Sequence, residues 1–203
     1  MFVIVRHGNT FSAGEAPRRI GRRTDLPLTA AGHEQARALA THFAARNWQF
    51  GKALVSPLLR TCQTADAILS AQSRLITPEP ADFLREIDHG PDENQTEDAV
   101  IARIGKQALS AWDAHAVAPP DWIVDADNRI TAWRNLFAAM LEDPLPTLLV
   151  TSNGAARFAL LADPALRSGL DHLVTLKLPT GGFGIIRKSA TGSLEVPVWG
   201  ERP

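Results

Sequence analysis

The feature that most constrains the fold is a short apolar run near the start of the chain that ends abruptly in polar residues. Residues 2–5 read Phe-Val-Ile-Val, and Arg6, His7 and Gly8 follow at once. A run of this length is typical of a buried β-strand. Open α/β sheets bind their ligands beyond the carboxyl ends of parallel strands. The run therefore predicts a sheet whose edge carries a guanidinium beside an imidazole.

Strand-like and helix-like segments alternate along most of the chain. The further predicted strands are 53–56, 75–76, 147–151, 173–178, 183–187 and 194–198. The predicted helices are 29–46, 57–69, 96–115, 125–142 and 154–162. Thr29 is the expected N-cap of the first helix, and Pro57 is expected in the first turn of the second. This alternation predicts a three-layer α/β/α sandwich with a mainly parallel central sheet.

The length of 203 residues predicts a single domain, 1–203, in which about 91–142 forms a helical cap or subregion. The net charge of −1 argues against a general binder of nucleic acids or membrane surfaces. We find no run of about 18 apolar residues and no leader pattern. The single Cys62 excludes an intrachain disulfide and a cysteine zinc cluster. A soluble, cytoplasmic protein is the expectation.

Polar side chains gather at three predicted junctions and in one further loop. The junctions are Arg6–Thr10, Ser56–Arg60 and Ser152–Gly154, and the loop is Leu84–Gly90. In a parallel sheet the three junctions converge at one edge. Guanidiniums bind phosphate oxygens through paired donors and stay charged. An imidazole with a free pKa of about 6.5 is a nucleophile near neutral pH. This combination favours transfer of a phosphoryl group.

Four segments together resemble the histidine phosphatase superfamily, which includes the cofactor-dependent phosphoglycerate mutases. They are Arg6–Gly8 (RHG), Asp25–Gly32 (DLPLTAAG), Ser56–Ala65 (SPLLRTCQTA) and Leu84–Gly90 (LREIDHG). The segments follow the family's order and span residues 2 to about 160. The resemblance implies that His7 becomes phosphorylated and that Arg6 and Arg60 hold the phosphoryl oxygens. It also implies that Glu86 is the proton donor.

The expected function is hydrolysis of a small phosphorylated molecule through a phosphohistidine, without a metal or a cofactor. A covalent intermediate divides one hard step into two easier ones. Glu86 can protonate the leaving group if burial, or a carboxylate such as Asp88, raises its pKa. The residues expected to help bind the phosphate are Asn9, Thr10, Asn153 and Gly154.

The chain departs from the family at Asn153, where the resemblance implies a second histidine. Asparagine keeps a hydrogen-bond donor and loses the positive charge, which should cost no more than about 10²–10³ in rate. We therefore expect a working, atypical phosphatase rather than an inactive protein. His89 is a candidate for a substitute cation, and its alternative interpretation is a partly exposed loop histidine. Asn153 itself has the alternative of a turn residue at positive φ.

The loop after the first strand matches the family more loosely and contains four arginines. They are Arg18, Arg19, Arg22 and Arg23. Their two interpretations are recognition of a second anionic group and a solvated basic loop.

Arg60 and Glu86 each have a purely structural interpretation beside the catalytic one. For Arg60 it is an arginine on the surface of a helix. For Glu86 it is a salt bridge within the loop, for example to Arg85. The structure has to decide between these interpretations.

Two rival functions stay open at this point. One is a phosphoglycerate mutase-like phosphotransferase, and the other is a catalytically weak or inactive protein that binds a phosphorylated ligand. The apolar strand 194–198 has two interpretations. It is either a sheet edge at which a homodimer forms or an edge strand with no partner.

Overall fold

The computed structural model describes residues 1–170, 173 and 175–203, which form a central sheet and helices on both of its faces. The strands are β1 (Phe2–Arg6), β2 (Lys52–Val55), β3 (Glu79–Pro80), β4 (Thr147–Thr151), β5 (Phe183–Lys188) and β6 (Leu194–Glu201). The helices are α1 (Ala30–Ala45), α2 (Leu59–Leu69), α3 (Glu97–His115), α4 (Ala126–Met140), α5 (Asn153–Leu161) and α6 (Pro164–Ser168). Two short 3₁₀ turns cover Asp82–Leu84 and Gly90–Asp92.

The sheet is mainly parallel, as predicted. Its strand order is β3-β2-β4-β1-β5-β6. Strands β1 to β4 pair in parallel, whereas β5 runs antiparallel to β1 and β6 runs antiparallel to β5. The β5–β6 hairpin therefore closes one side of a parallel sheet, and β6 lies at its edge.

Alternating side chains of β1 point into two separate cores, which confirms the three-layer prediction. Val3 and Val5 pack with residues of α1 and α2 on one face. Phe2 and Ile4 pack with residues of α3, α4 and α5 on the other. All four side chains are fully buried. Because successive strand residues face opposite sides, an unbroken apolar run is what a strand covered on both faces requires.

One predicted helix start is confirmed by its cap, and another is wrong by two residues. The Thr29 side chain accepts a hydrogen bond from the Gly32 N–H and begins α1. Helix α2 begins at Leu59 rather than at Pro57. The Leu59 N–H donates to Oδ1 of Asp25 at 2.7 Å. A cap from a distant loop replaces the local proline start.

Two strand predictions in weakly apolar stretches are wrong. The proposed strand 75–76 is irregular, Leu75 is 96% exposed, and the third strand is β3. In the proposed strand 173–178, residue 174 lies outside the described residues, and residues 173 and 175–178 form no strand. The Leu178 N–H donates to Oδ1 of Asn153, and its carbonyl accepts from Arg6. Side chains near the sheet edge thus use the backbone groups that a strand would need.

The segment 91–142 contributes both to a core and to the region above the sheet edge. Phe137 of α4 packs against Phe2 of β1, with ring centroids 4.9 Å apart. Helix α3 kinks at Gly105, where φ is 79°. Its Trp112 is buried next to the cavity described below. Within the described part of the chain, none of the helices is long and apolar enough to cross a membrane.

Candidate active site

A cavity of about 670 Å³ opens at the carboxyl ends of β1 and β4. The two strands are neighbours, with Arg6 opposite Thr151, and the His7 N–H donates to the Thr151 carbonyl at 3.1 Å. This register brings the segments that follow both strands together. Seven of the eight predicted site residues line the cavity: Arg6, His7, Asn9, Thr10, Glu86, Asn153 and Gly154.

His7 has the tautomer and charge that a nucleophile needs. Its Nδ1 lies 2.7 Å from the Gly8 carbonyl. Because a carbonyl only accepts, Nδ1 carries the hydrogen and Nε2 keeps its lone pair. Burial, followed by the charges of Arg60 and Arg6, holds the pKa of His7 well below its usual 6.5. The imidazole is therefore neutral at physiological pH.

Gly8 turns the chain sharply after His7 where no side chain fits. A Cβ on this residue would lie 2.3 Å from the Gly32 carbonyl oxygen in α1. The Gly8 N–H donates to Oγ1 of Thr64, which in turn donates to the Arg60 carbonyl. These contacts fix the end of β1 against α1 and α2.

The two arginines occupy different positions around His7. Arg6 donates from Nη1 to the Leu178 carbonyl, and burial lowers its pKa to about 10, so it stays charged at neutral pH. Arg60 is fully buried, so its interpretation as a surface arginine is wrong. It donates to the carbonyls of Thr24 and Gly21 and is not among the described residues that line the cavity. In this structure Arg60 acts on His7 through its charge.

Backbone donors hold the Glu86 carboxylate, so its interpretation as a loop salt bridge is wrong. Its Oε1 accepts from the Ile87 N–H at 2.9 Å, and its Oε2 accepts from the Gly154 N–H at 3.1 Å. Arg85 pairs with Asp82 instead. A Cβ on Gly154 would lie 2.2 Å from Oε1 of Glu86, so a glycine is needed where α5 approaches the carboxylate.

Glu86 does not meet the condition set above for a proton donor, because its pKa is lowered rather than raised. Burial by itself would raise the pKa. The charge of His89, the two backbone hydrogen bonds and the charge of Arg60 outweigh burial and lower the pKa below 4.5. Asp88 instead accepts from Arg23, 3.1 Å away. Glu86 is therefore a carboxylate at neutral pH.

Asn153 is the first residue of α5 and is not among the described residues with positive φ, so its interpretation as a positive-φ turn residue is wrong. Its Oδ1 accepts from the Leu178 N–H at 3.0 Å. The side-chain orientation is thereby fixed, because the oxygen must face the donor. Because Asn153 lines the cavity, its Nδ2 hydrogens are the donors that it can offer to a bound anion.

The sequence profile described as histidine phosphatase superfamily (branch 1) matches residues 2–193. The chain belongs to the histidine phosphatase superfamily. A relative named probable phosphoglycerate mutase GpmB, from Proteus mirabilis, is 33% identical over 167 residues, covering 78% of this chain and 72% of the relative.

Solved structures of other proteins share the fold. A mycobacterial glucosyl-3-phosphoglycerate phosphatase aligns with a TM-score of 0.75 at 22% identity, covering 98% of this chain and 97% of its own. The α-ribazole phosphatase of Shigella flexneri aligns with a TM-score of 0.72 at 22% identity, covering 99% and 96%. Relatives of this histidine phosphatase superfamily member thus bear the names of both phosphatases and mutases.

All four arginines of the 9–28 loop lie near carboxylates. The pairs are Arg18 with Glu15, Arg19 with Glu97, Arg22 with Asp82, and Arg23 with Asp88. Arg18 and Arg19 line the cavity together with their partners. The loop is therefore neither simply solvated nor a free patch of positive charge.

Sequence reasoning missed Glu93, which ties this loop to the segment after Glu86. Its Oε1 accepts from the N–H groups of Gly21 and Arg23 and from Oγ1 of Thr24. Burial alone would raise the pKa of Glu93, but contacts with His89, Thr24 and Gly21 lower it to about 2. The acidic pair at 92–93, directly after the loop motif, is the pattern that could have indicated this anchor.

We expect Glu93→Gln to destabilise the fold. A pKa lowered from 4.5 to about 2 corresponds to about 3 kcal/mol of stability at neutral pH. Because the folded-state pKa is depressed, this contribution is complete above pH 4.5 and disappears as the pH falls toward 2. Urea unfolding at pH 7 should show the full loss of free energy, and unfolding at about pH 3 should show a smaller difference. Equal losses at both pH values would contradict a stabilising role of the ionised Glu93 carboxylate. Glu34→Gln, at an exposed position on α1, is the matched control and should leave the free energy of unfolding unchanged.

Proposed function

We propose that this protein hydrolyses phosphomonoesters of small molecules through a phosphohistidine at His7. The observation that carries the proposal is the buried, neutral imidazole of His7, whose Nε2 lone pair is free in a cavity influenced by two guanidiniums. Phosphoryl transfer depends mainly on such positioning and on charge stabilisation.

The reaction takes place in two displacements. Nε2 of His7 bonds to phosphorus as the ester P–O bond breaks, and the leaving oxygen takes a proton from the Glu86 carboxyl. Water then attacks phosphorus and gives a proton to the Glu86 carboxylate as the P–Nε2 bond breaks. This step releases inorganic phosphate and returns the lone pair to Nε2 of His7. Glu86 is ionised before substrate binds, because its pKa is lowered. A bound phosphate dianion places like charge beside it, which raises its pKa toward the value that an acid needs.

Asn153 supports the proposal as a neutral donor to the phosphoryl group. Its amide is fixed by Leu178 and lies at the start of α5. A histidine at this position, as in the family, would bring a positive charge. The absence of that charge should lower the rate by at most about 10²–10³-fold. Asn9 and Thr10 line the same cavity and are further candidates to bind the phosphate.

The surroundings of the cavity favour a phosphatase over a mutase. A phosphoglycerate carries a carboxylate that needs its own cation, whereas Arg18 and Arg19 already pair with Glu15 and Glu97. Apolar groups such as Trp112 also line the cavity. We infer a substrate whose alcohol portion is uncharged, selected in part by segment 91–142, to which Trp112 belongs. The mutase stays the second candidate because one relative bears that name.

The test is phosphate release from a generic aryl phosphate between pH 4 and 8, measured beside isomerisation of a phosphoglycerate. We expect turnover of the aryl phosphate without a bisphosphorylated activator. Because the pKa of His7 is lowered, its protonation should not reduce kcat/KM as the pH falls from 7 to 5.5. Isomerisation that exceeds hydrolysis, or no turnover at any pH, would contradict the proposal.

A further inference from the structure

His89 is buried in the wall of the cavity and has no part in the reaction described above. It is 4% exposed, so its interpretation as a partly exposed loop histidine is wrong. Its ring meets Trp122 edge-on, with centroids 4.5 Å apart. It lines the same cavity as His7 and Glu86. A buried imidazole at a ligand cavity requires a reason beyond packing.

The orientation of His89 leaves one ring nitrogen for a ligand. Its Nδ1 is buried without a hydrogen-bond partner among the described residues and lies 3.6 Å from Oε2 of Glu93. The Glu93 carboxylate is fixed in this position, because its Oε1 accepts hydrogen bonds from the Gly21 N–H and from Oγ1 of Thr24. A carboxylate facing one ring nitrogen favours a hydrogen there and assigns the other nitrogen, Nε2, to contacts on the opposite side of the ring.

Charged groups lie around His89 in the wall of the cavity. The carboxylates of Glu86 and Glu93 interact with His89, and Arg19 lines the same cavity. Asp88 and Asp92 flank His89 in the chain and pair with Arg23 and Arg103. Arg19 is paired with Glu97. A phosphomonoester brings up to two negative charges. His7 must stay neutral and Asn153 carries no charge, so among the described residues that line the cavity His89 is the other imidazole that can place a positive charge at the phosphate.

We propose that the His89 imidazolium, oriented by Glu93, is a second cationic ligand of the substrate's phosphate group. The proposal rests on the proposed function for the identity of the substrate, but it concerns binding rather than turnover. It implies that the positive charge absent at Asn153 is supplied from the loop that follows Glu86. The role requires no bond to form or break.

The experiment measures the affinity for inorganic sulfate by calorimetry at about pH 5.5 and about pH 8.5. Sulfate mimics the phosphate group and keeps its two charges over this range, so a pH dependence comes from the protein. Histidine side chains change charge between these values. We expect His89→Gln to weaken binding at the lower pH by about ten- to a hundredfold, the range for a hydrogen bond to a charged group. At the higher pH the variant and the wild type should be similar.

A second substitution distinguishes a charge role from a structural one. Adding Asn153→His to His89→Gln should restore most of the lost affinity at low pH, because it returns an imidazole to the cavity. A purely structural loss would lower the affinity by the same factor with or without Asn153→His, so the single Asn153→His variant is measured beside the double variant. His115→Gln, at the exposed end of α3, is the matched control and should bind like the wild type.

The outcomes separate this proposal from the proposed function. Unchanged sulfate affinity in His89→Gln, or a loss that Asn153→His does not rescue in a folded double variant, overturns the role of His89. Loss of affinity with rescue supports it even if the protein turns over no phosphomonoester, because binding alone is measured. Thermal unfolding of each variant identifies losses that come from the fold.

Discussion

Replacing His7 with alanine is expected to lower kcat/KM for an aryl phosphate by about 10⁴–10⁶-fold, the scale seen when a catalytic nucleophile is removed. The imidazole presents a free Nε2, because Nδ1 donates to the Gly8 carbonyl, and its lowered pKa keeps it neutral. Alanine removes the attacking atom while the backbone contacts of residue 7 remain. The measurement is the initial rate of phosphate release at saturating and limiting substrate.

The control for His7→Ala is another histidine variant that leaves the cavity untouched. His33→Gln on α1 serves this purpose, since His33 does not line the cavity. It should retain the wild-type rate. A His7→Ala protein that folds normally and keeps more than about a tenth of the wild-type kcat/KM would remove His7 from the chemistry.

Gly154→Ala is expected to lower kcat by about 10²–10³-fold, within the range for loss of a general acid or base. The added Cβ would lie 2.2 Å from Oε1 of Glu86 and 3.2 Å from Cγ1 of Ile87. Glu86 would have to leave the two N–H groups that hold it. Its position and its pKa would change together, so the proton would no longer be delivered to the leaving oxygen.

A second glycine offers a matched control for this substitution. A Cβ on Gly169, after α6, would approach the Leu166 carbonyl oxygen no closer than 3.5 Å, which is ordinary contact. Gly169→Ala should therefore keep the wild-type rate. The dependence of the rate on the leaving group provides a further check, because substrates with poor leaving groups should suffer most in Gly154→Ala. A uniform loss across leaving groups would indicate displaced binding instead of a displaced acid.

The parts of the fold that depend on nearby residues could be predicted from the sequence. The strand at 2–5 and the helix cap at Thr29 each depend on only a few neighbouring residues, and the structure confirms both. The start of α2 could not be predicted, because Asp25 caps it from a distant loop. The strand proposed at 173–178 was wrong for a similar reason, since Asn153 and Arg6 bind the backbone of Leu178.

The candidate site shows the same division. The residue types at the strand ends indicated phosphoryl chemistry, and the resemblance assigned roles to His7 and Glu86. The lowered pKa of Glu86 could not be predicted, because it depends in part on the Gly154 N–H and the Arg60 charge, which are far away in sequence. The pairing of Arg19 with Glu97 also escaped prediction, because the two residues are far apart in sequence. Charge balance in a cavity is set by the tertiary structure.

The most direct test of the account is a rapid-quench experiment with a substrate labelled in its phosphate group. The wild-type protein is mixed with excess substrate, stopped in alkali and digested, and the labelled peptide is sequenced. The account predicts a label that appears before steady-state phosphate release, is stable in alkali and labile in acid, and lies on His7. Phosphate released at the full rate with no label on His7 at any time would contradict it.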